Sequence, residues 1–159
     1  MKISFNLNGK DVQVEALANE RLVNILRKNF NLLNVKTSCL KGQCGACTVL
    51  MNGKPVSSCL IPMFKTEAHD IITLEYFKTT EDYKAIASGF EQAGVATCGF
   101  CDAGKIFFTY AIMNSGLNIF DHKAEEKIRR YYSGVMCRCT SFEDLFSAIE
   151  KIKKIWGKK

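Results

Sequence analysis

The chain has 159 residues, 47% of them hydrophobic, and a formal net charge of +6 from 22 basic and 16 acidic residues. That suffices for one domain or two small ones with a real core, and it contains no uninterrupted apolar run of the ~18 residues a membrane helix needs. The modest basic excess lacks interleaved base-stacking aromatics, so no nucleic-acid and no membrane partner is indicated.

Residues 1–76 read as a small sheet domain. Ile3, Phe5 and Leu7 alternate with Ser4 and Asn6, and Asn8-Gly9 predicts a hairpin turn into Val12 and Val14. A type I′ turn needs positive φ at both central positions, which Asn-Gly tolerates. Leu22, Val23, Ile25, Leu26 and Phe30 recur at helical spacing, predicting an amphipathic helix over 20–30. A cysteine-rich loop follows, then a second hairpin: Thr48 to Met51, the turn Asn52-Gly53, and Lys54 to Cys59. Ile71 to Leu74 is expected as a short buried strand. Two hairpins, a crossing helix and a returning strand suggest a β-grasp.

From residue 77 the apolar period changes to 3.6. Tyr83, Ile86, Ala87 and Phe90 mark one helix face that ends near Gly94. Ile106, Phe107, Phe108, Tyr110, Ala111 and Met113 make the next helix apolar almost all round, as a buried central helix should be. A third helix is expected from Asp121 to Tyr132. The fourth carries the stripe Phe142, Leu145, Phe146, Ile149, Ile152 and Ile155, its start marked by Thr140-x-x-Glu143, a capping-box pattern. Residues 77–159 thus predict a four-helix bundle, and the fold class is α+β. Lys151, Lys153, Lys154, Lys158 and Lys159 crowd the tail, as a solvated helix face and frayed terminus or, the rival reading, as a docking surface.

The chemistry lies in eight cysteines that fall into two sets of four. Cys39, Cys44, Cys47 and Cys59 have the spacing with which plant-type ferredoxins wrap a [2Fe–2S] cluster. Glycines at 42 and 45 allow the sharp turns that point three thiols at one centre. Cys98-x-x-Cys101 and Cys137-x-Cys139 form two close brackets, each just before a predicted helix whose N-terminus favours negative charge. Their spacing suits a second two-iron site or a structural zinc. No apolar export signal follows Met1, so the expected compartment is the cytoplasm, where thiols bind metal more often than they form disulfides. His69 and His122 are isolated among polar residues and read as surface groups. Lys41 and Arg138, inside the cysteine motifs, are either docking charges or ordinary solvated ones.

Cys-Gly-Ala-Cys-Thr at 44–48, Cys-Gly-Phe-Cys at 98–101 and Cys-Arg-Cys-Thr at 137–140 together resemble the small iron–sulfur subunit of the molybdenum hydroxylases. This is the xanthine dehydrogenase, aldehyde oxidoreductase and aerobic carbon monoxide dehydrogenase family. The resemblance covers nearly the whole chain and implies one [2Fe–2S] cluster in each domain. It assigns Cys39, Cys44, Cys47 and Cys59 to the cluster on the flavin side, and Cys98, Cys101, Cys137 and Cys139 to the one nearer the molybdopterin. It also implies a large molybdopterin-binding partner subunit and an FAD-binding subunit, with no catalytic residue in this chain, and purines, other N-heterocycles or aldehydes as substrates. A free-standing two-cluster carrier and a zinc-bearing interaction module are the rival readings. The family's usual Gln before Cys-Gly-Phe-Cys is Thr97 here; its Thr-Pro after that motif is Asp102-Ala103, and its Gly-Tyr after Cys-Arg-Cys-Thr is Ser141-Phe142. Asp102 sets a carboxylate beside a negative cluster, which lowers its potential unless a partner supplies a cation.

Overall fold

The structure, a computed structural model, describes residues 1–156; Lys158 and Lys159 of the basic tail lie outside the described residues. Side-chain alternation builds β1 (Lys2–Leu7), which buries Ile3, Phe5 and Leu7 and pairs antiparallel with β2 (Lys10–Glu15). Asn8 at φ 53° and Gly9 at φ 80° make the tight turn that the Asn-Gly pair predicted. Helix α1 (Leu22–Lys28) packs Leu22, Val23, Ile25 and Leu26 with these strand residues. Then come β3 (Thr48–Met51) and β4 (Lys54–Ser57), joined through Asn52 and Gly53, both at positive φ. The last strand, β5 (Asp70–Ile72), runs parallel to β1 and antiparallel to β3, giving a sheet of order β2-β1-β5-β3-β4.

Two local expectations need correcting. Cys59 sits in a 3₁₀ turn, Ser58–Leu60, past the end of β4. Leu74 does not close a strand but opens a short helix, α2 (Leu74–Phe77). The strand stops at Ile72 because Thr73 is taken by the first hairpin: its N–H donates to Asn8 Oδ1 at 2.9 Å, and Asn8 Nδ2 donates to its Oγ1 at 3.1 Å.

The second half contains α3 (Glu81–Gln92), α4 (Asp102–Asn114), α5 (Ala124–Tyr131) and α6 (Phe142–Trp156). Thr80 Oγ1 accepts the Tyr83 N–H at 3.2 Å and caps α3. The capping box of α6 lies one residue later than Thr140-x-x-Glu143. Ser141 Oγ accepts the Asp144 N–H at 3.0 Å, and Asp144 Oδ2 accepts the Ser141 N–H at 3.1 Å. Thr140 does not cap because its side chain is engaged across the fold, its hydroxyl donating to Ala96 O at 3.1 Å and its oxygen accepting from Lys105 Nζ at 3.5 Å. Phe107, Ile112, Ile128, Ile149 and Ile152, all on these four helices, share one buried core.

The two cores divide between Ile71 and Leu74, although Leu50 of β3 joins the helical one. The halves meet at two glycines. A Cβ placed on Gly104 of α4 would fall 2.9 Å from Gly45 Cα and 3.0 Å from Gly45 O, so only a bare α-carbon fits. Beside this contact the Met136 N–H donates to Gln43 O at 3.1 Å. The loop of the first cysteine set is thereby clamped onto the start of α4 and the chain that leads to Cys137.

Two substitutions test this packing. Phe77 meets Tyr83, Phe107 and Tyr110 at ring separations of 6.5, 5.2 and 5.1 Å, so Phe77→Ala should cost about 3–5 kcal/mol in denaturant unfolding. Gly104→Ala would gain ~1 kcal/mol if helix propensity alone decided. Overpacking against backbone should instead produce a net loss of about 1–3 kcal/mol. A denaturation midpoint that stays or rises would show that the joint can yield.

Candidate metal centres

The first cysteine set lies on the loop between α1 and β3 and on the 3₁₀ turn after β4. Gly42 and Gly45 both take φ 73°, the left-handed conformation that the sharp turns require. Cys44, Cys47 and Cys59 are buried and Cys39 is half-buried. The backbone N–H groups of Lys41 and Gln43 both donate to Cys39 Sγ at 3.4 Å. These donors hold the Cys39 thiol down at about 6, whereas burial pushes Cys47 up to about 12. Cys47 and Cys59 pack in the same buried core.

The second set joins the two ends that precede α4 and α6. Cys101 is buried and occupies the N-cap of α4, at the positive end of the helix. Cys98 and Cys139 are exposed and Cys137 is intermediate. Burial pushes the Cys101 thiol up to about 12. For Cys137 burial also raises, but the Cys139 N–H, the Cys101 and Thr140 side chains and the Lys105 charge together bring it below its ordinary value. All four line one open cavity, and Cys44 of the first set lines it as well. The two sets are therefore close neighbours.

Four thiols in each set suit a two-iron core, in which each iron takes two thiolates. Among the described residues, no three His, Cys, Asp or Glu side chains converge on a single-ion site. His69 meets the Glu67 carbonyl through Nδ1 at 2.8 Å, and His122 lies 3.1 Å from Asp121, both at the surface. Lys41 and Arg138 are exposed.

Asp102 differs from the sequence expectation. It turns back into its own chain, where Oδ2 accepts the Gly99 N–H at 3.0 Å and Oδ1 lies 3.3 Å from Lys105 Nζ. The cation beside it comes from this chain, not from a partner. Lys105 was invisible to the periodicity because the helix reads as apolar almost all round; its signal was a lysine one turn after an aspartate in such a helix. Thr97 is exposed, and Phe142 lies 3.8 Å beneath the Arg129 guanidinium and packs against Phe146.

Two family models match. Residues 5–71 match a 2Fe-2S iron-sulfur cluster binding domain, and residues 73–150 match a [2Fe-2S] binding domain. The chain is 35% identical over 147 residues to the nicotinate dehydrogenase small FeS subunit of Eubacterium barkeri, covering 92% of this chain and 91% of that one. It is 32% identical over 158 residues to the xanthine dehydrogenase iron-sulfur-binding subunit of Escherichia coli O157:H7, covering 96% and 94%. Among solved structures it resembles quinoline 2-oxidoreductase from Pseudomonas putida 86, with a TM-score of 0.83 and 30% identity over 99% of this chain and 96% of that one. With a matching model for each half and relatives matched over nine-tenths or more of both chains, the chain belongs to the small iron–sulfur subunits of the molybdenum hydroxylases.

Proposed function

We propose that Cys39, Cys44, Cys47 and Cys59 bind one [2Fe–2S] cluster and Cys98, Cys101, Cys137 and Cys139 the other. The observation that carries this is that Cys98, Cys101, Cys137 and Cys139 line one cavity, which Cys44 of the first set also lines, while Cys47 and Cys59 share the first buried core. On this reading residues 1–76 are a β-grasp ferredoxin-like domain and 77–159 a four-helix bundle. The break between the two buried cores, after Ile71, and the matched segments 5–71 and 73–150 support a division in that linker.

When bound, each cluster takes up and passes on one electron, so two match the two electrons of one hydroxylation on a partner. The chain's own residues hold and order the path. Exposed Cys98 and Cys139, flanked by exposed Phe100 and Met136, form the face for a large molybdopterin-binding subunit. The apolar side chains there suit burial under a partner. Gly45 and Gly104 hold the two cysteine sets together, and exposed Leu40 and Leu60, beside the first set, suit an FAD-binding subunit or other acceptor. The substrate class is a purine, another N-heterocycle or an aldehyde, bound on the partner; the nicotinate and xanthine in the relatives' names support the heterocycles. The cytoplasm is the proposed compartment. Eight free thiols support it, and no helix among the described residues is long and apolar enough to cross a membrane.

Electron paramagnetic resonance of the dithionite-reduced protein tests the assignment. Two distinguishable signals of about one spin each per chain are expected. Cys47→Ser should remove one signal and Cys137→Ser the other. One signal with stoichiometric zinc would reduce Cys98, Cys101, Cys137 and Cys139 to a structural clamp.

A further inference from the structure

Lys105 is completely buried, yet it carries a charge into the helical half beside the second cysteine set. An isolated ammonium there would cost several kcal/mol of lost hydration, so its surroundings must compensate it. Its Nζ donates to Ala96 O and, at 3.5 Å, to Thr140 Oγ1, and it faces Asp102 Oδ1 at 3.3 Å. Each partner belongs to a cysteine bracket. Ala96 lies two residues before Cys98, Thr140 directly follows Cys139, and Asp102 directly follows Cys101. Thr140 Oγ1 also donates to Ala96 O at 3.1 Å, closing a small network between the brackets. Asp102 Oδ2 is held by the Gly99 N–H, inside the first bracket.

We propose that Lys105 is a positioning residue that straps the two brackets of the second cluster together and, with Asp102, sets that cluster's reduction potential. The proposal rests on the reading that Cys98, Cys101, Cys137 and Cys139 hold a [2Fe–2S] cluster. Reduction brings in one electron from the donor, leaves the site one unit more negative, and breaks no bond. The fixed ammonium favours that more negative state, and the Asp102 carboxylate opposes it. Two opposite charges in one site therefore bias the same one-electron equilibrium in opposite directions.

The experiment is a potentiometric titration of the whole protein, with each signal followed by electron paramagnetic resonance. Lys105→Met should disfavour reduction of the second cluster about tenfold, a drop of 59 mV for one electron. Asp102→Asn keeps the side chain's size and should shift the same signal upward. The double variant should return toward the parent, which a purely structural role would not produce. The first cluster's midpoint should stay put in all three. If Lys105→Met fails to load its cluster, Asp102→Asn decides, and an unmoved second midpoint in it overturns the proposal. A parent protein that shows only the first signal overturns the cluster reading itself. Both signals present with unmoved midpoints overturn the potential-setting role alone.

Discussion

The two halves approach backbone to backbone at Gly45 and Gly104, and the molecule's use as a relay depends on it. Electron transfer between two centres falls steeply with their separation, so the fold must bring two independent cysteine sets to within a short distance and hold them there. Side chains cannot do this as well as bare backbone, because each Cβ adds its own thickness to the gap. At Gly104 that thickness would collide with main-chain atoms at 2.9 and 3.0 Å, which have no rotamer into which to retreat. The Met136–Gln43 hydrogen bond then fixes the register of the approach. Cys44 consequently lines the same cavity as the four cysteines of the second set.

The local parts of this architecture were legible in the sequence. Both Asn-Gly turns, the alternating strand Lys2–Leu7 and the striped helix Phe142–Trp156 depend on interactions between residues close in the chain, and pattern rules describe those. What was misread turned on contacts between distant residues. Thr140 has the chemistry of a cap, but Ala96 claims its hydroxyl, so Ser141 caps instead. Leu74 looks like strand, but Asn8 ends the strand at Thr73 and the second core claims the leucine. The joint at Gly45 and Gly104 has no periodic signature at all; a glycine in the first turn of an apolar helix was its only trace.

The candidate sites divide in the same way. All eight cysteines could be singled out from spacing, and the second four line one cavity in the structure. That Cys44 lines it too could not be read, since C-x4-C-x2-C does not say where its thiols stand relative to the other four. Lys105 was missed for a subtler reason. A single lysine barely changes the apolar average of a thirteen-residue helix, and burial of its ammonium depends on acceptors supplied by Ala96 and Thr140.

The two sets meet the same electrostatic problem by different means. A [2Fe–2S] core with four thiolates carries a net negative charge, and more on reduction, so each site needs positive potential nearby. At Cys39 the Lys41 and Gln43 backbone N–H groups point at the sulfur. They are present whatever residues occupy those positions, provided the loop keeps its turns. At the second set the helix N-terminus at Cys101 is joined by a buried side-chain cation with its own carboxylate. Backbone donors tie a site's electrostatics to the fold, whereas a side-chain pair can be altered one charge at a time without disturbing a thiol. A relay of two centres needs their potentials to differ in the right sense. The Asp102–Lys105 pair is where this chain can adjust that difference while leaving the first centre and the glycine joint untouched.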